Sequence, residues 1–219
     1  ASAQEGDRVE EYWGTATNED GEIVYREKHT TRYRDGRIFL SVTNYLDPEG
    51  REIAVMESDY ERSVALPTYG FKDFRRDYEE GVRFRDGNYY IFNRDPEQGE
   101  KEKLLEDTTD VYSCQGWHYY VVEHLEQLER DESFELNLIF PNKLKAYPFV
   151  REKVGGGGET MEVKVRFANR LISWLVPHLD LVYDKKERKL LEFRGVSNIF
   201  DENGELQDVR ITYSEKEPT

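Results

Sequence analysis

Five short turn signals divide much of the chain into strand-length runs, and they constrain its fold more than any other feature. Asn18-Glu-Asp-Gly21, Arg34-Asp-Gly36, Asp47-Pro-Glu-Gly50, Arg85-Asp-Gly87 and Asp201-Glu-Asn-Gly204 each stand between segments rich in Tyr, Phe, Ile and Val. Asp-Gly and Asn-Gly tolerate positive φ and so suit tight hairpins, which make successive strands run antiparallel. Several runs also alternate: Phe134, Leu136, Leu138 and Phe140; Met161, Val163, Val165 and Phe167; Val209, Ile211 and Tyr213. Charged residues such as Glu162, Lys164 and Arg166 fall between them. The pattern predicts a sheet with one dry and one wet face. About a dozen such strands are too many for a flat open sheet, so strong curling follows. The expected fold is mainly β: a curved antiparallel meander, half-barrel or barrel-like. We read residues 1–219 as a single β-rich domain, with 1–10 as a loose lead-in and 214–219 as a disordered tail.

Residues 116–130, GWHYYVVEHLEQLER, break this rhythm. Trp117, Tyr120, Val121, His124, Leu125 and Leu128 recur at spacings of three and four, with Glu123, Glu126, Gln127 and Arg130 opposite. This predicts one amphipathic helix, capped by Ser113 and supported by a Glu126–Arg130 pair, that covers or plugs the concave side. The polar stretch 97–110 reads as the loop leading to it, and Pro141 and Pro148 bracket a turn-like segment. Gly155 to Gly158 reads as a hairpin loop without the Lys-Ser/Thr ending of a phosphate cradle. Residues 169–176, NRLISWLV, are too apolar for an ordinary connection and read as a plug across the mouth or a contact segment.

Charge narrows the partners. With 31 Lys and Arg against 46 Asp and Glu, the net charge is −15, which disfavours phosphate backbones and anionic headgroups. Nucleic acid is therefore not an expected partner. Cys114 is the only cysteine, so no internal disulfide can form. Ala1-Ser2-Ala3 matches the small-residue pattern at the end of a secretory signal, and an exported, periplasmic location is expected, with the cytoplasm as the alternative. No apolar run approaches the roughly 18 residues of a membrane span.

Glu27 and His29 are the leading candidates for chemistry. Tyr25, Glu27, His29, Thr31 and Tyr33 alternate with Val24, Arg26, Lys28, Thr30 and Arg32. If the basic face is wet, a Glu and a His two apart point inward, where they can share a proton or orient a polar ligand group, or form a network that fixes strand register. Glu57, Asp59 and Glu61 also share a face, and read as carboxylates solvated beyond the core. His29, His118, His124 and His178 show no zinc spacing, so no metal site is expected, and no cofactor. Cys114 reads as a small buried hydrophobe near the helix start.

The order of hairpins, Gln115-Gly116-Trp117-His118 opening a helix, then Phe134 to Pro141, Leu181-Val-Tyr-Asp184, Leu190 to Asn198 and a last hairpin from Asp201 to Tyr213, resembles a group of uncharacterised exported bacterial β-proteins. These are similar in outline to the half-barrel carriers and receptors of lipoprotein sorting, whose lid has several helices where one is visible here. The aromatic face of the helix and the apolar 171–176 stretch lead to the expectation of a non-enzymatic periplasmic carrier for a lipid-like or hydrophobic ligand. Trp117, Tyr120, His124 and Trp174 would line its concavity, and Glu27 and His29 would supply polar groups. The alternatives are a small-substrate enzyme using Glu27 and His29, or a structural or assembly protein of the cell envelope with an envelope protein as partner.

Overall fold

A computed structural model describes residues 7–113, 115–171, 173 and 178–219. Their strands are β1 (Arg8–Thr17), β2 (Ile23–Arg34), β3 (Arg37–Leu46), β4 (Glu52–Asp59), β5 (Thr68–Asp73), β6 (Tyr78–Arg85), β7 (Asn88–Asp95) and β8 (Gly99–Leu104). There follow β9 (Val111–Tyr112), β10 (Phe134–Phe140), β11 (Lys145–Gly155), β12 (Thr160–Phe167), β13 (Leu179–Asp184), β14 (Lys189–Val196) and β15 (Asp208–Ser214). All belong to one 15-stranded sheet ordered β8-β7-β6-β5-β4-β3-β2-β1-β15-β14-β13-β12-β11-β10-β9. The chain thus forms two meanders joined by the antiparallel pairing of β1 with β15, Gly14 opposite Tyr213. Every pairing is antiparallel except β9 with β10. The predicted mainly-β, curved, barrel-like class is what is observed, with the sheet left open at β8 and β9.

The turns work as their residues dictate. Asp35-Gly36 and Asp86-Gly87 form two-residue hairpins with all four φ angles positive, the geometry that matches strand twist. The longer turns share a different device: Asn18, Asp47 and Asp201 each accept two backbone N–H groups on one side-chain oxygen. Residues 97–110 differ from expectation. They contain the edge strand β8, a fully exposed GEKEKL run whose Lys and Glu side chains discourage pairing with another edge. Two of its carboxylates are bound to Arg83 and Arg85 of the neighbouring face.

Side chains and loops close the roll where strand pairing does not. A 3-10 turn at Pro141–Lys143 ends the β10 strand, and Asn93 of β7 donates to the Pro141 carbonyl at 2.8 Å. Ile139 joins the apolar cluster of the first meander while Leu138 joins that of the second. The tip of β10 therefore has both faces covered, and the strict alternation predicted there fails: Ile139 is buried and Phe140 is exposed. Pro148 lies within β11, opposite Asn137, instead of ending a turn segment.

The predicted helix is broken in two. α1 (Gly116–Glu123) and α2 (Leu125–Glu129) meet at His124, whose φ of −116° leaves the helical range. Ser113 does not cap it. Its hydroxyl donates to the Pro67 carbonyl at 2.7 Å and its N–H to Ala65, tying the start of α1 to residues 60–67. Gly116 is needed at this junction, since a Cβ there would lie 2.2 Å from the Ala65 carbonyl oxygen. The Glu126–Arg130 pair is also absent: Glu126 binds Arg188 and Arg130 binds Glu132. Val121, Leu125 and Leu128 bury against Leu136, Val163, Val165 and Leu181 of the second meander.

Candidate functional site

The rolled sheet leaves a half-open cavity of about 1830 Å³. Ligand pockets usually span roughly 300–1,000 Å³, so this is a large interior space. Its wall carries most of the chain's 15 tyrosines, along with Met56, Phe71, Ile139 and Phe193. From α1 it takes Trp117, His118, Tyr119 and Val122.

Strand pairing assembles the polar part of the wall. On β2, Tyr25, Glu27, His29 and Thr31 are buried in alternation with partly or fully exposed Arg26, Lys28 and Arg32. Register sets Thr43 of β3 on one side of His29 and Tyr12 of β1 on the other. The His29 Nε2 lies 2.7 Å from Glu27 Oε2, and its Nδ1 lies 3.0 Å from the Thr43 hydroxyl. The Tyr12 ring stacks on the imidazole at 4.3 Å and 5°, and Tyr213 meets both rings edge-on. Gly14 faces Glu27 across the β1–β2 pair, and a Cβ on it would lie 3.1 Å from the Glu27 carboxylate. It would also meet Ile211 and Tyr213, each at 3.0 Å, so the missing side chain makes room for all three groups. Glu27 meets His29 through its Oε2 oxygen.

Burial shapes the surrounding groups. Tyr12, Tyr25 and Tyr213 are pushed well above the ordinary phenol range by burial first and by the nearby Glu27 charge as well, so each hydroxyl stays protonated. Tyr25 shares a 2.7 Å hydrogen bond with Ser197. Farther along the wall, Tyr78 donates to Glu80 at 2.7 Å, and burial raises the Glu80 carboxyl. His118 stacks on Tyr183 at 5.6 Å with Nδ1 3.0 Å from its hydroxyl. Desolvation, then the neighbouring His29, lower its pKa to about 4. It is a neutral imidazole at neutral pH.

Of the residues singled out from sequence, Glu27, His29 and Trp117 lie on this wall. Tyr120 and His124 do not: they stack on each other at 3.9 Å, and His124 Nδ1 donates to the Tyr120 carbonyl at 2.8 Å. Tyr120 instead packs beside Tyr112 and the buried Arg151, whose guanidinium sits 4.2 Å from the Tyr120 ring and 5.0 Å from Phe134. Trp174, Cys114 and Ala1–Ala3 lie outside the described residues, as do half of residues 169–176. Glu57 and Asp59 are exposed, while Ala54, Met56 and Ser58 of the same strand are buried. Sequence reasoning missed Tyr12, Thr43, His118 and Tyr213 as site groups. The alternation of β15 already placed Tyr213 inward, but Tyr12 and Thr43 needed the register. His118 was missed because α1 is apolar on two adjacent faces.

Among the described residues, no group of three or more His, Cys, Asp or Glu is placed to hold a metal ion, and no helix is long and apolar enough to cross a membrane. No protein-family model matches the chain, and no curated protein matches it. Among solved structures it is similar to a β-barrel-like protein from Brucella abortus, a domain of unknown function DUF1849. Identity is 9%, coverage 97% of this chain and 98% of the other, and the TM-score 0.41. That degree of likeness carries no argument about function or lipoprotein sorting.

Proposed function

We propose that this chain is a binding protein that holds an apolar small molecule inside its rolled sheet. The observation that carries this reading is the cavity of about 1830 Å³, walled by aromatic rings together with Met56, Ile139 and Trp117. Such a wall offers a ligand dispersion contacts and removal of apolar surface from water. The few inward polar groups would orient the ligand. Periplasmic carriage of a lipid-like molecule is the cellular form of this reading.

The Glu27, His29 and Thr43 chain resembles a proton relay but does not favour an enzyme. Both imidazole nitrogens are engaged, so His29 has none left for a substrate, and Thr43 is buried off the cavity wall. Glu27 itself lies on the cavity wall, where its carboxyl group suits orientation of a polar ligand group.

A titration with the neutral dye N-phenyl-1-naphthylamine tests the reading. Saturable fluorescence enhancement is expected, weakened at least about tenfold, a loss of about 1.4 kcal/mol, when Met56→Trp fills the cavity. Absence of enhancement, or equal binding by Met56→Trp, would contradict it.

A further inference from the structure

We infer that a ligand enters and leaves the cavity at one end only, through the mouth between α1 and the turns at 34–37 and 184–189. The connection between β14 and β15 is a fixed floor across the other end. This rests on the binding reading above and assigns the route to that same site.

Residues 197–207 cross the roll. They leave β14 and return to β15, its antiparallel neighbour, a step that a tight hairpin turn can complete. Instead they reach the turn between β5 and β6, although β15, β1, β2, β3 and β4 stand between β14 and β5 in the sheet. On the way they meet inward-facing side chains. The Ser197 hydroxyl shares a 2.7 Å hydrogen bond with Tyr25 of β2, and Asn198 donates to the Tyr45 hydroxyl of β3 at 3.3 Å. At the far side Arg75 donates to the Phe200 carbonyl at 3.1 Å, and the Arg76 guanidinium lies 3.9 Å from the Phe200 ring. A segment that touches β2, β3 and the β5–β6 turn from within a curled sheet spans its opening.

Ile199 fixes this crossing. It is 1% exposed within the apolar cluster of the first meander, and its carbonyl accepts from the Gln207 side chain at 2.9 Å. Lifting the floor would bring Ile199 into water and break these hydrogen bonds together, which belongs to opening of the core and not to a loop fluctuation. At the same end the Pro141–Lys143 turn is held by Asn93 of β7. The seam between β8 and β9 is packed too, since Val111 and Ile139 both join the first-meander cluster.

The opposite end is crossed by α1, from Tyr60 and Ala65 on one side to Tyr183 of β13 on the other. Beside the helix the wall continues into Arg8, Arg37, Glu187 and Lys189, all exposed. Among the described residues, the ion pairs of the 34–37 turn run from Arg34 to Asp7 and Glu61, not to α1 or the 184–189 turn. Arg8 pairs with Glu10 and Lys189 with Glu215, and the exposed pair of Arg188 with Glu126 ties the 184–189 turn to α2. Surface pairs of this kind rearrange without uncovering apolar side chains. Side-chain motion therefore clears the mouth, while the floor stays in place.

Stopped-flow exchange of N-phenyl-1-naphthylamine on the intact chain tests the route. In a Cys114→Ser background, which has no other thiol, Arg37→Cys marks the mouth and Leu206→Cys the floor, both at exposed positions on the wall. Each is coupled to a bulky polyethylene glycol maleimide. Obstructing the route slows association and dissociation by the same factor and leaves the dissociation constant unchanged. Labelled Arg37→Cys is expected to show this pattern, with both rates lowered at least about tenfold, while labelled Leu206→Cys keeps the rates of the unlabelled chain. Glu187→Cys and Asn142→Cys repeat the comparison at the two ends, and melting curves check that each variant is folded. Equal slowing at both ends, slowing at the floor alone, or no slowing at either would overturn the route while leaving the binding reading intact. Absence of dye binding by the unaltered chain would overturn both.

Discussion

The two meanders build their interiors from different side chains, and the cavity runs between them with residues of both on its wall. Under α1 and α2 the wall is largely aliphatic: Leu136, Val163, Val165 and Leu181 are at most 1% exposed and meet Leu125 and Leu128 from the helices. Branched aliphatic chains have no polar atoms to satisfy and interdigitate to high density. In the first meander the corresponding positions are Tyr25, Tyr45, Tyr69 and Tyr78. A buried phenol must reach a hydrogen-bond partner, and several do so along the wall: Tyr25 with Ser197, Tyr78 with Glu80, Tyr45 accepting from Asn198. Rings held in this way cannot collapse toward the centre. Hydrogen-bonded tyrosines thus hold their rings along the cavity wall, to which Val163 contributes nothing.

The largest effect that separates the halves should come from paired truncations. Leu128→Ala, in the helix-covered core, is expected to cost about 2–5 kcal/mol in denaturant unfolding, while Met56→Ala on the cavity wall costs less than half as much. A Leu128 side chain leaves a new void, whereas Met56 already borders one. Equal costs would break the comparison.

The junction between the halves should respond to acid. His118 has a folded pKa of about 4 against an ordinary 6.5, so folding favours its neutral form. Its contribution is complete above about pH 6.5 and is lost as pH falls toward about 4, by at most about 3 kcal/mol. Part of the ring faces the cavity, which lowers that ceiling. His118→Gln should flatten this limb of the stability curve; an unchanged limb would assign the acid sensitivity to other groups.

Gly116→Ala sharpens the comparison by loosening α1 alone. Its Cβ would meet the Ala65 carbonyl, a backbone atom that cannot rotate away, and a cost of about 1–3 kcal/mol is expected. Hydrogen exchange should rise in residues 116–123 and stay slow in β12. The smallest effect belongs to Thr43→Val, which removes the partner of His29 Nδ1 at about 1 kcal/mol. A change below about 0.3 kcal/mol would mean that this hydrogen bond does not hold the imidazole.

Much of the architecture was legible because it rests on local rules. Asp35-Gly36 and Asp86-Gly87 specify their hairpins without help from the rest of the fold, and the inward set Tyr25, Glu27, His29 follows from a period of two. The legibility failed where an element touches two surfaces. The tip of β10 is covered on both faces, so alternation there named Phe140 for burial when Ile139 is the buried residue. α1 lies between the filled core and the cavity, and its apolar faces at Val121 and at His118, Tyr119 and Val122 overlap around the helix. Periodicity found the helix and chose the face that docks, which is why Tyr120 and His124 were nominated in place of His118. The break at His124 has no glycine or proline to announce it. The closeness of Tyr12, Thr43 and Gly14 to the Glu27 and His29 pair depends on register across three strands, which no single segment encodes.

Native mass spectrometry of the protein purified without detergent, paired with organic extraction of the same sample, tests the central claim most directly. The cavity predicts an adduct that extraction releases as an apolar molecule and that Met56→Trp fails to retain. A bare mass from the unaltered chain, together with no binding of added N-phenyl-1-naphthylamine, would contradict it.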